Sequence, residues 1–399
     1  MRPAGFLLAS ALLAAGACTS PPERPRQEAR QVASTLSAGP GRSDEGFARA
    51  IGPREFSFPE DHGPHPAFRT EWWYVTGNLA TEDGRPFGFQ WTVFRQALAP
   101  RIEARASRWA TRDVYLGHFA LSDLAERESG FRSFERFRRG ALGLAEAVAE
   151  PLAVRLDDWS LESVPAAAGE PARTPWPARL RAEGGRGDDA RAIDLRLGEG
   201  VPPVLQGDRG LSKKGPAPGN ASYYYSLPRM PARGEVRIGS QKFRVSGLAW
   251  LDREWSTSGL APGLVGWDWF ALQLDDGYSL MLYRLRGRDG SASPESRGAL
   301  IAPDGSTRTL EWRDLAFEQT ASWTSPKSGA VYPAAWRIRI AREDLDLAVT
   351  PRLADQELDG AFRYWEGAVA ASGKRAGRPV GGQGYVELTG YADAAPPPR

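Results

Sequence analysis

Short stretches rich in aromatic and β-branched residues recur from about residue 55 to residue 390, and turn signals separate most of them. Within many stretches apolar and polar residues alternate, which is typical of strands that bury one face. The pattern predicts strands at residues 71–79, 86–95, 114–123, 152–161, 223–227, 242–251, 265–274, 279–286, 335–340, 346–350 and 385–390. We therefore expect an all-β protein with few helices.

One hairpin pattern occurs twice. Trp72-Trp73-Tyr74 precedes Glu82-Asp83-Gly84 and a second aromatic stretch, and Trp267-Asp268-Trp269 precedes Asp275-Asp276-Gly277 and a similar stretch. Asp-Gly supplies the positive φ that a tight type I′ turn requires. The repeat predicts two related β halves.

Glycine and proline crowd together between residues 202 and 220, where we place the boundary between the halves. The predicted domains are residues 54–215 and residues 216–395. The segment between them is either a solvated linker or a loop that contributes to a shared site.

The first eighteen residues have the pattern of a secretion signal. Arg2 precedes an apolar run at residues 6–13, and four small residues lead to Cys18. This pattern suits a lipoprotein signal peptidase, so Cys18 is the expected lipidation site. Residues 19–53 are rich in Pro, Arg, Gly and Ser and predict a flexible tether. Because Thr19 is not acidic, we expect a membrane-anchored lipoprotein on the periplasmic face of the outer membrane.

Composition excludes several classes of protein. The chain has 14 Trp and 44 Gly but only 3 Met and 3 His, as expected for aromatic strands and tight turns. Its single cysteine excludes an intramolecular disulfide and, once lipidated, a cysteine nucleophile. A net charge of +2 gives no sign of nucleic-acid binding. Gly-x-Ser-x-Gly, His-Glu-x-x-His, Walker and dinucleotide-binding motifs are absent, and we expect no cofactor.

Two histidines three residues apart, His62 and His65, lie near Asp61 and Glu71, and His118 lies on a later predicted strand. Imidazole and carboxylate groups of this kind are potential metal ligands. However, the two histidines flank a Gly-Pro turn, so nothing directs both rings to one centre. Ordinary hydrogen-bonding histidines are the favoured alternative, and we predict no metal site.

Carboxylates beside aromatic residues are the candidates for acid–base chemistry. Asp252 and Glu254 flank Arg253 between two tryptophans, and acids against aromatic walls often have raised pKa values. The alternative is a structural arginine–carboxylate network at a strand end. Asp268 lies between Trp267 and Trp269, and strand alternation directs it away from both. Sequence alone leaves open which face lines a cavity.

The C-terminal stretches repeat this combination of acids and aromatic residues. Tyr364-Trp365-Glu366 forms one motif. In the other, four polar residues share one strand face, which suits a lined pocket or, alternatively, a solvated surface. These residues are Gln383, Tyr385, Glu387 and Thr389.

Several motifs in consistent order resemble the secreted AttH branch of the lipocalin-like carotenoid-hydratase (hydroxyneurosporene synthase) superfamily. They include Glu71-Trp72-Trp73-Tyr74, Ser222-Tyr223-Tyr224-Tyr225-Ser226, Asp252-Arg253-Glu254-Trp255, Gly266-Trp267-Asp268-Trp269, Tyr364-Trp365-Glu366-Gly367 and Gly384-Tyr385-x-Glu387. The resemblance spans most of residues 55–392. It implies two packed lipocalin-like β-barrel domains with an apolar pocket in or between them.

The resemblance also implies candidate activities. Its members include hydratases of isoprenoid chains, and the secreted branch is described as predicted hydrolases associated with ABC-type export systems. Carotenoid hydratases keep a His-x-Trp pair where this chain has Arg253-Glu254-Trp255. Because arginine stays protonated and cannot shuttle a proton, we do not expect carotenoid hydration.

Two hypotheses follow. The leading one is a lipid-anchored envelope protein that binds an apolar or lipid-like ligand in an aromatic-lined β cavity and serves an ABC transporter permease. The alternative is a secreted hydrolase, hydratase or isomerase acting on an isoprenoid, polyene or lipid-like substrate. The candidate catalytic residues are Asp252, Glu254, Asp268 and Glu387. The candidate ligand-binding residues are Glu71, Trp72, Trp73, Tyr74, His118, Tyr223, Tyr225, Arg253, Trp255, Trp267, Trp269, Tyr364, Trp365, Glu366, Gln383 and Tyr385.

Overall fold

The structure is a computed structural model and describes residues 44–101, 106–126, 130–165 and 175–392. The expected signal peptide, Cys18 and most of the expected tether lie outside the described residues. In the described ranges no helix is both long enough and apolar enough to span a membrane. The helices are single 3₁₀ turns at Glu60–His62, Gly187–Asp189, Trp312–Asp314 and Ala341–Glu343.

A first sheet of 13 strands curls into a barrel. Its strands are β1 (Thr70–Ala80), β2 (Pro86–Ala97), β3 (Asp113–Asp123), β4 (Phe131–Arg139), β5 (Ala145–Val148), β6 (Ala153–Leu156), β7 (Trp159–Ser163), β8 (Ala178–Gly184), β9 (Arg191–Leu197), β10 (Val204–Leu205), β11 (Leu211–Lys213), β12 (Ala221–Ile238) and β13 (Gln241–Ser256). Their order is β4-β3-β2-β1-β13-β12-β9-β8-β7-β6-β5, and β10 and β11 both pair with β12.

A second sheet of 10 strands forms the other barrel. Its strands are β14 (Leu264–Leu274), β15 (Ser279–Gly287), β16 (Arg297–Ile301), β17 (Thr307–Glu311), β18 (Ala316–Thr324), β19 (Val331–Ile340), β20 (Leu345–Pro351), β21 (Glu357–Asp359), β22 (Arg363–Arg375) and β23 (Arg378–Thr389). Their order is β17-β16-β15-β14-β23-β22-β20-β19-β18, and β21 pairs with β22. The predicted all-β class with few helices is confirmed.

The repeated hairpins are present as β1–β2 and β14–β15, but their turns differ from the prediction. Gly84 and Gly277 have positive φ values of 88° and 91°, whereas the residues before them do not. A type I′ turn needs positive φ at two consecutive positions, so the predicted turn type was wrong. Each hairpin instead closes with a single left-handed glycine, whose amide donates to the carbonyl three residues earlier.

Two further predictions need correction. The strand expected at residues 152–161 is two strands, β6 and β7, because the chain turns at Asp157, where φ is 56°. The boundary expected at residues 215/216 does not coincide with the change of sheet, which falls at residues 257–263. The reason is that β10 and β11 tie the glycine-rich segment to β12, while β12 and β13 continue the first sheet.

Three large apolar clusters and a small one around Val114 and Leu116 form the core. One fills the first barrel around Trp73, Trp91 and Trp255, and another fills the second barrel around Phe270 and Trp336. The third lies between the barrels and is described below. Because side chains alternate along a strand, neighbours such as Trp73 and Tyr74 enter different clusters. The layer between the barrels is thus built from the outer faces of both.

Candidate functional site

The third cluster gathers acids, tyrosines and tryptophans where β1, β12 and β13 of the first barrel meet β14, β22 and β23 of the second. We call it the inter-barrel cluster and define it as Tyr74, Lys214, Tyr224, Trp250, Asp252, Glu254, Trp269, Tyr364, Glu366, Tyr385 and Glu387. Its acids and tyrosines include three pairs of residues that are two positions apart on one strand: Asp252 and Glu254 on β13, Tyr364 and Glu366 on β22, and Tyr385 and Glu387 on β23. Because side chains alternate between the two faces of a strand, both members of each pair lie on the same face.

Asp252 is the most fully hydrogen-bonded acid of the cluster. Its Oδ2 accepts from the Tyr224 hydroxyl at 2.5 Å, and its Oδ1 accepts from Ser226 Oγ at 2.6 Å and Trp250 Nε1 at 2.7 Å. Burial raises the pKa of Asp252 to about 7, although the three donors act in the opposite direction. Asp252 therefore exchanges a proton near neutral pH.

Glu366 and Glu387 form a second acidic centre, which we call the acid pair. They are direct cross-strand partners on β22 and β23, so their side chains share a face. Burial raises the pKa of Glu387 to about 8. Burial, and then the charge of Glu387, raises the pKa of Glu366 well above its usual range. Because two adjacent carboxylates with little exposure to solvent resist ionising together, the pair holds a proton near neutral pH.

Tyr74 connects the two acidic centres. It is the cross-strand partner of Asp252, and its ring contacts Trp269 edge-to-face at 5.1 Å. Burial, followed by the charges of Glu366, Glu387 and Asp252, raises its pKa well above the usual value. Its hydroxyl and both Glu366 oxygens are buried without a hydrogen bond of good geometry among the described residues, although Tyr74 and Glu366 lie near enough for each to shift the pKa of the other. Such unpaired polar groups are costly in a core and are common at functional sites.

Glu254 differs from the other acids because it has a cationic partner. Lys214 Nζ lies 2.8 Å from its Oε1, and Ser222 donates to the same oxygen. Burial lowers the pKa of Lys214, but Glu254, together with Tyr283 and Asp252, outweighs burial and the net shift is upward. Lys214 comes from the glycine-rich segment, which therefore contributes to the cluster rather than serving only as a linker. Sequence reasoning did not single out Lys214 as a site residue.

His118 on β3 lies beside the cluster. Its Nδ1 is 2.8 Å from the Tyr364 hydroxyl, and its ring is buried. His118 thus contacts a residue of the second barrel, whereas the other two histidines lie inside the first barrel. The structure brings together, in or beside the cluster, the following predicted residues: Trp72, Tyr74, His118, Asp252, Glu254, Trp267, Trp269, Tyr364, Glu366, Gln383, Tyr385 and Glu387.

The other predicted ligand-binding residues face the barrel interiors, because they occupy the alternate positions of the same strands. In the first barrel Glu71 pairs with Arg253 Nη2 at 2.9 Å and also with Arg95. Burial raises the pKa of Glu71, but Arg95, His65 and Arg253 outweigh burial and lower it. The predicted residues that point into the barrels are Glu71, Trp73, Tyr223, Tyr225, Arg253, Trp255 and Trp365.

For Asp252-Arg253-Glu254 the sequence left two alternatives open, acids available for acid–base chemistry or a structural arginine–carboxylate network. The structure has both, on opposite faces of β13. Arg253 belongs to a structural arginine–carboxylate network inside the first barrel, and its guanidinium lies 4.0 Å from the centre of a Trp73 ring. Asp252 and Glu254 belong to the inter-barrel cluster. This division follows directly from the two-residue repeat of the strand.

The two histidines of the first barrel make ordinary hydrogen bonds. His62 Nδ1 lies 2.5 Å from the Tyr225 hydroxyl, and burial lowers the pKa of His62 to about 4. His65 lies between Asp61, at 3.0 Å, and Glu71, at 3.1 Å. In the part of the chain that the structure describes, no group of three or more His, Cys, Asp or Glu residues is arranged to hold a metal ion.

Asp268 does not belong to the inter-barrel cluster. It points into the second barrel, where the Tyr391 hydroxyl donates to it at 2.8 Å and Arg284 and Arg286 lie at 3.3 and 3.4 Å. As strand alternation predicted, the candidate catalytic residue Asp268 lies on the face of β14 opposite to Trp267 and Trp269, away from the other candidate acids. Burial raises the pKa of Asp268, although both arginines and the Tyr391 hydroxyl act in the opposite direction.

These features define a class of protein, a pair of packed lipocalin-like β-barrels with an acidic and aromatic layer between them. The sequence profile of the AttH-like family matches residues 49–391. The chain belongs to the AttH-like family, as its motifs predicted.

Solved structures agree with this assignment. An AttH candidate from Nitrosomonas europaea is 37% identical, with a TM-score of 0.74, over 86% of this chain and 99% of that one. Kievitone hydratase from Nectria haematococca is 17% identical, with a TM-score of 0.62, over 88% of this chain and 98% of its own. The second similarity concerns the fold alone. No curated protein matches the chain.

Proposed function

We propose that the protein is an acid–base enzyme that adds water to, or removes it from, an apolar lipid-like substrate between the two barrels. The observation that carries this proposal is the convergence of Asp252 and the acid pair: burial raises the pKa of Asp252 to about 7, that of Glu387 to about 8, and that of Glu366 well above its usual range. A general acid works best when its pKa is close to the working pH.

The arrangement provides both halves of a water addition. Protonated Asp252 gives its proton to one alkene carbon, and the oxygen of a water molecule bonds to the other carbon. The acid pair takes one of the two protons of that water, the other stays on the new hydroxyl group, and a proton returns to Asp252 through Tyr74, which lies among all three acids. The net change is the addition of H and OH to the double bond. Elimination of water is the reverse sequence.

The surroundings of the acids favour an apolar substrate. Tyr74, Trp250, Trp269 and Tyr385 line the same layer, together with Met281 and other apolar residues. Aromatic side chains provide large apolar contact areas while a few polar groups orient the ligand. The fold is also that of kievitone hydratase, so the same scaffold is compatible with this reaction class.

Isotope labelling tests this proposal. A panel of isoprenoid alkenes and tertiary alcohols is incubated with the protein in ¹⁸O-labelled water, and mass spectrometry measures the incorporated label. We expect Asp252→Asn, Glu366→Gln and Glu387→Gln each to lower turnover by about 100-fold or more. Turnover should also decline as the pH rises past about 7, where Asp252 loses its proton.

Asp268→Asn is the matched control, since this buried acid lies outside the inter-barrel cluster. It should retain turnover if the variant folds. Full turnover in the three cluster variants would refute the proposal.

The aromatic layer also supports a second candidate function, binding of an apolar or lipid-like ligand without conversion. In that case we propose that the protein is an accessory to an ABC-type lipoprotein or lipid export system. Native mass spectrometry of protein purified from its own membrane should then detect a bound apolar molecule. Replacing Trp269, which contacts Tyr74 and donates to Tyr224, by alanine should remove that molecule.

We further propose that the protein is anchored through Cys18 on the periplasmic face of the outer membrane. The support is the signal-like pattern of residues 1–18 and the non-acidic Thr19. Metabolic labelling with a radioactive fatty acid should label the wild type and not Cys18→Ser. Equal labelling of both proteins would exclude this anchor.

A further inference from the structure

A line of polar side chains runs from the protein surface to the acid pair. Glu135 and His118 are cross-strand partners on β4 and β3, and Glu135 Oε2 lies 3.2 Å from His118 Nε2. The other ring nitrogen of His118 lies 2.8 Å from the Tyr364 hydroxyl on β22. The line therefore starts in the first barrel and ends in the second.

The two ends of this line differ in exposure. The Glu135 side chain is 26% exposed to solvent, whereas His118 is 2% exposed. Aromatic rings enclose the histidine: Phe94 and Phe362 lie 5.7 and 5.1 Å from its ring centre. In such an environment protons move through hydrogen-bonded side chains more readily than through the apolar rings.

The outer end of the line is held in place by the second barrel. The backbone amide of Ala361 donates to Glu135 Oε2 at 2.6 Å. A side chain at Gly360 would place its Cβ only 2.4 Å from the same oxygen, so a larger residue there would displace the Glu135 carboxylate from this position. Burial raises the pKa of Glu135, but the His118 hydrogen bond and charge outweigh burial and lower it, so the carboxylate remains an acceptor.

The inner end of the line reaches the acid pair. Tyr364 and Glu366 are two residues apart on β22 and share a face. Their side chains are near enough for each to shift the pKa of the other, although both Glu366 oxygens lack a hydrogen-bond partner of good geometry among the described residues. Proton transfer between them therefore requires a rotation of one of the two side chains.

We propose that Glu135, His118 and Tyr364 form a proton relay between solvent and the acid pair. A proton from water binds Glu135 and passes to His118 Nε2. His118 then releases a proton from Nδ1 to the Tyr364 oxygen, and Tyr364 passes its own hydroxyl proton to Glu366. Each relay group gains one proton and loses one. This role rests on the proposed enzymatic function, in which the acid pair must begin each turnover with one carboxylate ionised, and the relay lets that state equilibrate with solvent.

Infrared spectroscopy after rapid mixing with D₂O tests the relay without any substrate. The carbonyl stretch of protonated Glu366 shifts when deuterium replaces its proton, and loss of the band in Glu366→Gln assigns it. We expect Glu135→Gln, His118→Gln and Tyr364→Phe each to slow this exchange by about tenfold or more. Glu135→Gln is the most informative variant, because its partly exposed position makes the fold least sensitive to the change.

His62→Gln is the matched control, since His62 also pairs with a tyrosine hydroxyl but inside the first barrel. Its exchange rate should equal that of the wild type. Unchanged exchange in Glu135→Gln and Tyr364→Phe, or equal slowing in the control, would overturn the relay. Because the measurement needs no turnover, a failed substrate search counts against the enzymatic proposal and leaves the exchange result standing.

Discussion

At the scale of single residues, Asp252 shows how burial without a cationic side chain beside it changes the pKa of an acid. Its three hydrogen-bond donors compensate only part of the cost of burying a charge, so its pKa rises from 3.8 to about 7. Asp268 is just as buried but lies beside two arginines. A structural acid can thus be distinguished from a candidate catalytic acid by its partners rather than by its burial.

This difference predicts how stability depends on pH. Folded Asp252 binds its proton more tightly than the unfolded chain does, so its contribution to stability is complete below about pH 4 and is lost as the pH rises to about 7. The shift corresponds to about 4 kcal/mol. As the pH rises from about 4 to about 7, the free energy of unfolding of Asp252→Asn should therefore increase relative to that of the wild type by up to about 4 kcal/mol. Urea unfolding at a series of pH values measures the difference.

Asp194→Asn is the control with the opposite sign. A hydrogen bond from Arg179 lowers the pKa of Asp194, so its contribution is present at neutral pH and is lost on acidification. A pH-independent difference between wild type and Asp252→Asn would show that Asp252 has an ordinary pKa.

At the scale of elements, the hairpin turns depend on one glycine each. Gly84 has a φ of 88° with open space around it, so only its backbone conformation restricts substitution. We expect Gly84→Ala to lower the free energy of unfolding by about 1 kcal/mol, because a Cβ disfavours left-handed φ values. Gly84→Asn should lose less, since asparagine tolerates this region better. Chemical denaturation compares these variants.

Gly52→Ala provides the control for that comparison. Gly52 also has open space, but its φ lies outside the left-handed region, so alanine should be tolerated. Equal losses at both positions would mean that the turn conformation is not the cause.

Much of the strand pattern could be predicted from sequence, because alternation and turn residues are local signals. Alternation also predicted correctly that Asp268 points away from Trp267 and Trp269. It left open which face of β14 meets the other barrel, because that depends on contacts with strands distant in sequence. The acid pair could not be predicted either, since β22 is rich in Gly, Ala and Ser, was not among the predicted strands, and sets the register of Glu366 against Glu387.

At the scale of the whole molecule, the barrels approach each other most closely at small residues. A Cβ added to Gly88 on β2 would lie 2.7 Å from the Tyr385 hydroxyl and 2.9 Å from the Ala368 Cβ. Polar contacts also cross between the barrels: Asn78 donates to the Gly384 carbonyl and Gln273 donates to the Ala249 carbonyl, each at 3.1 Å. The position of the acids relative to one another depends on this contact.

We therefore expect Gly88→Ala to lower the free energy of unfolding by about 1–3 kcal/mol through overpacking between the barrels. Adding Ala368→Gly removes one of the two conflicting atoms and should restore part of the loss. A double-mutant cycle by calorimetry measures this coupling. Strictly additive effects would show that the two positions do not compete for the same space.

The charge networks inside both barrels have a consequence for protein engineering. Glu71 with Arg253, and Asp268 with Arg286, belong to the cores, whereas the acids and aromatic residues of the inter-barrel cluster lie on the outer faces of the barrels. A combinatorial library confined to those outer faces would vary ligand preference without altering either core. Directed evolution of this scaffold can therefore begin with foldable starting points, since the residues that specify each barrel remain fixed.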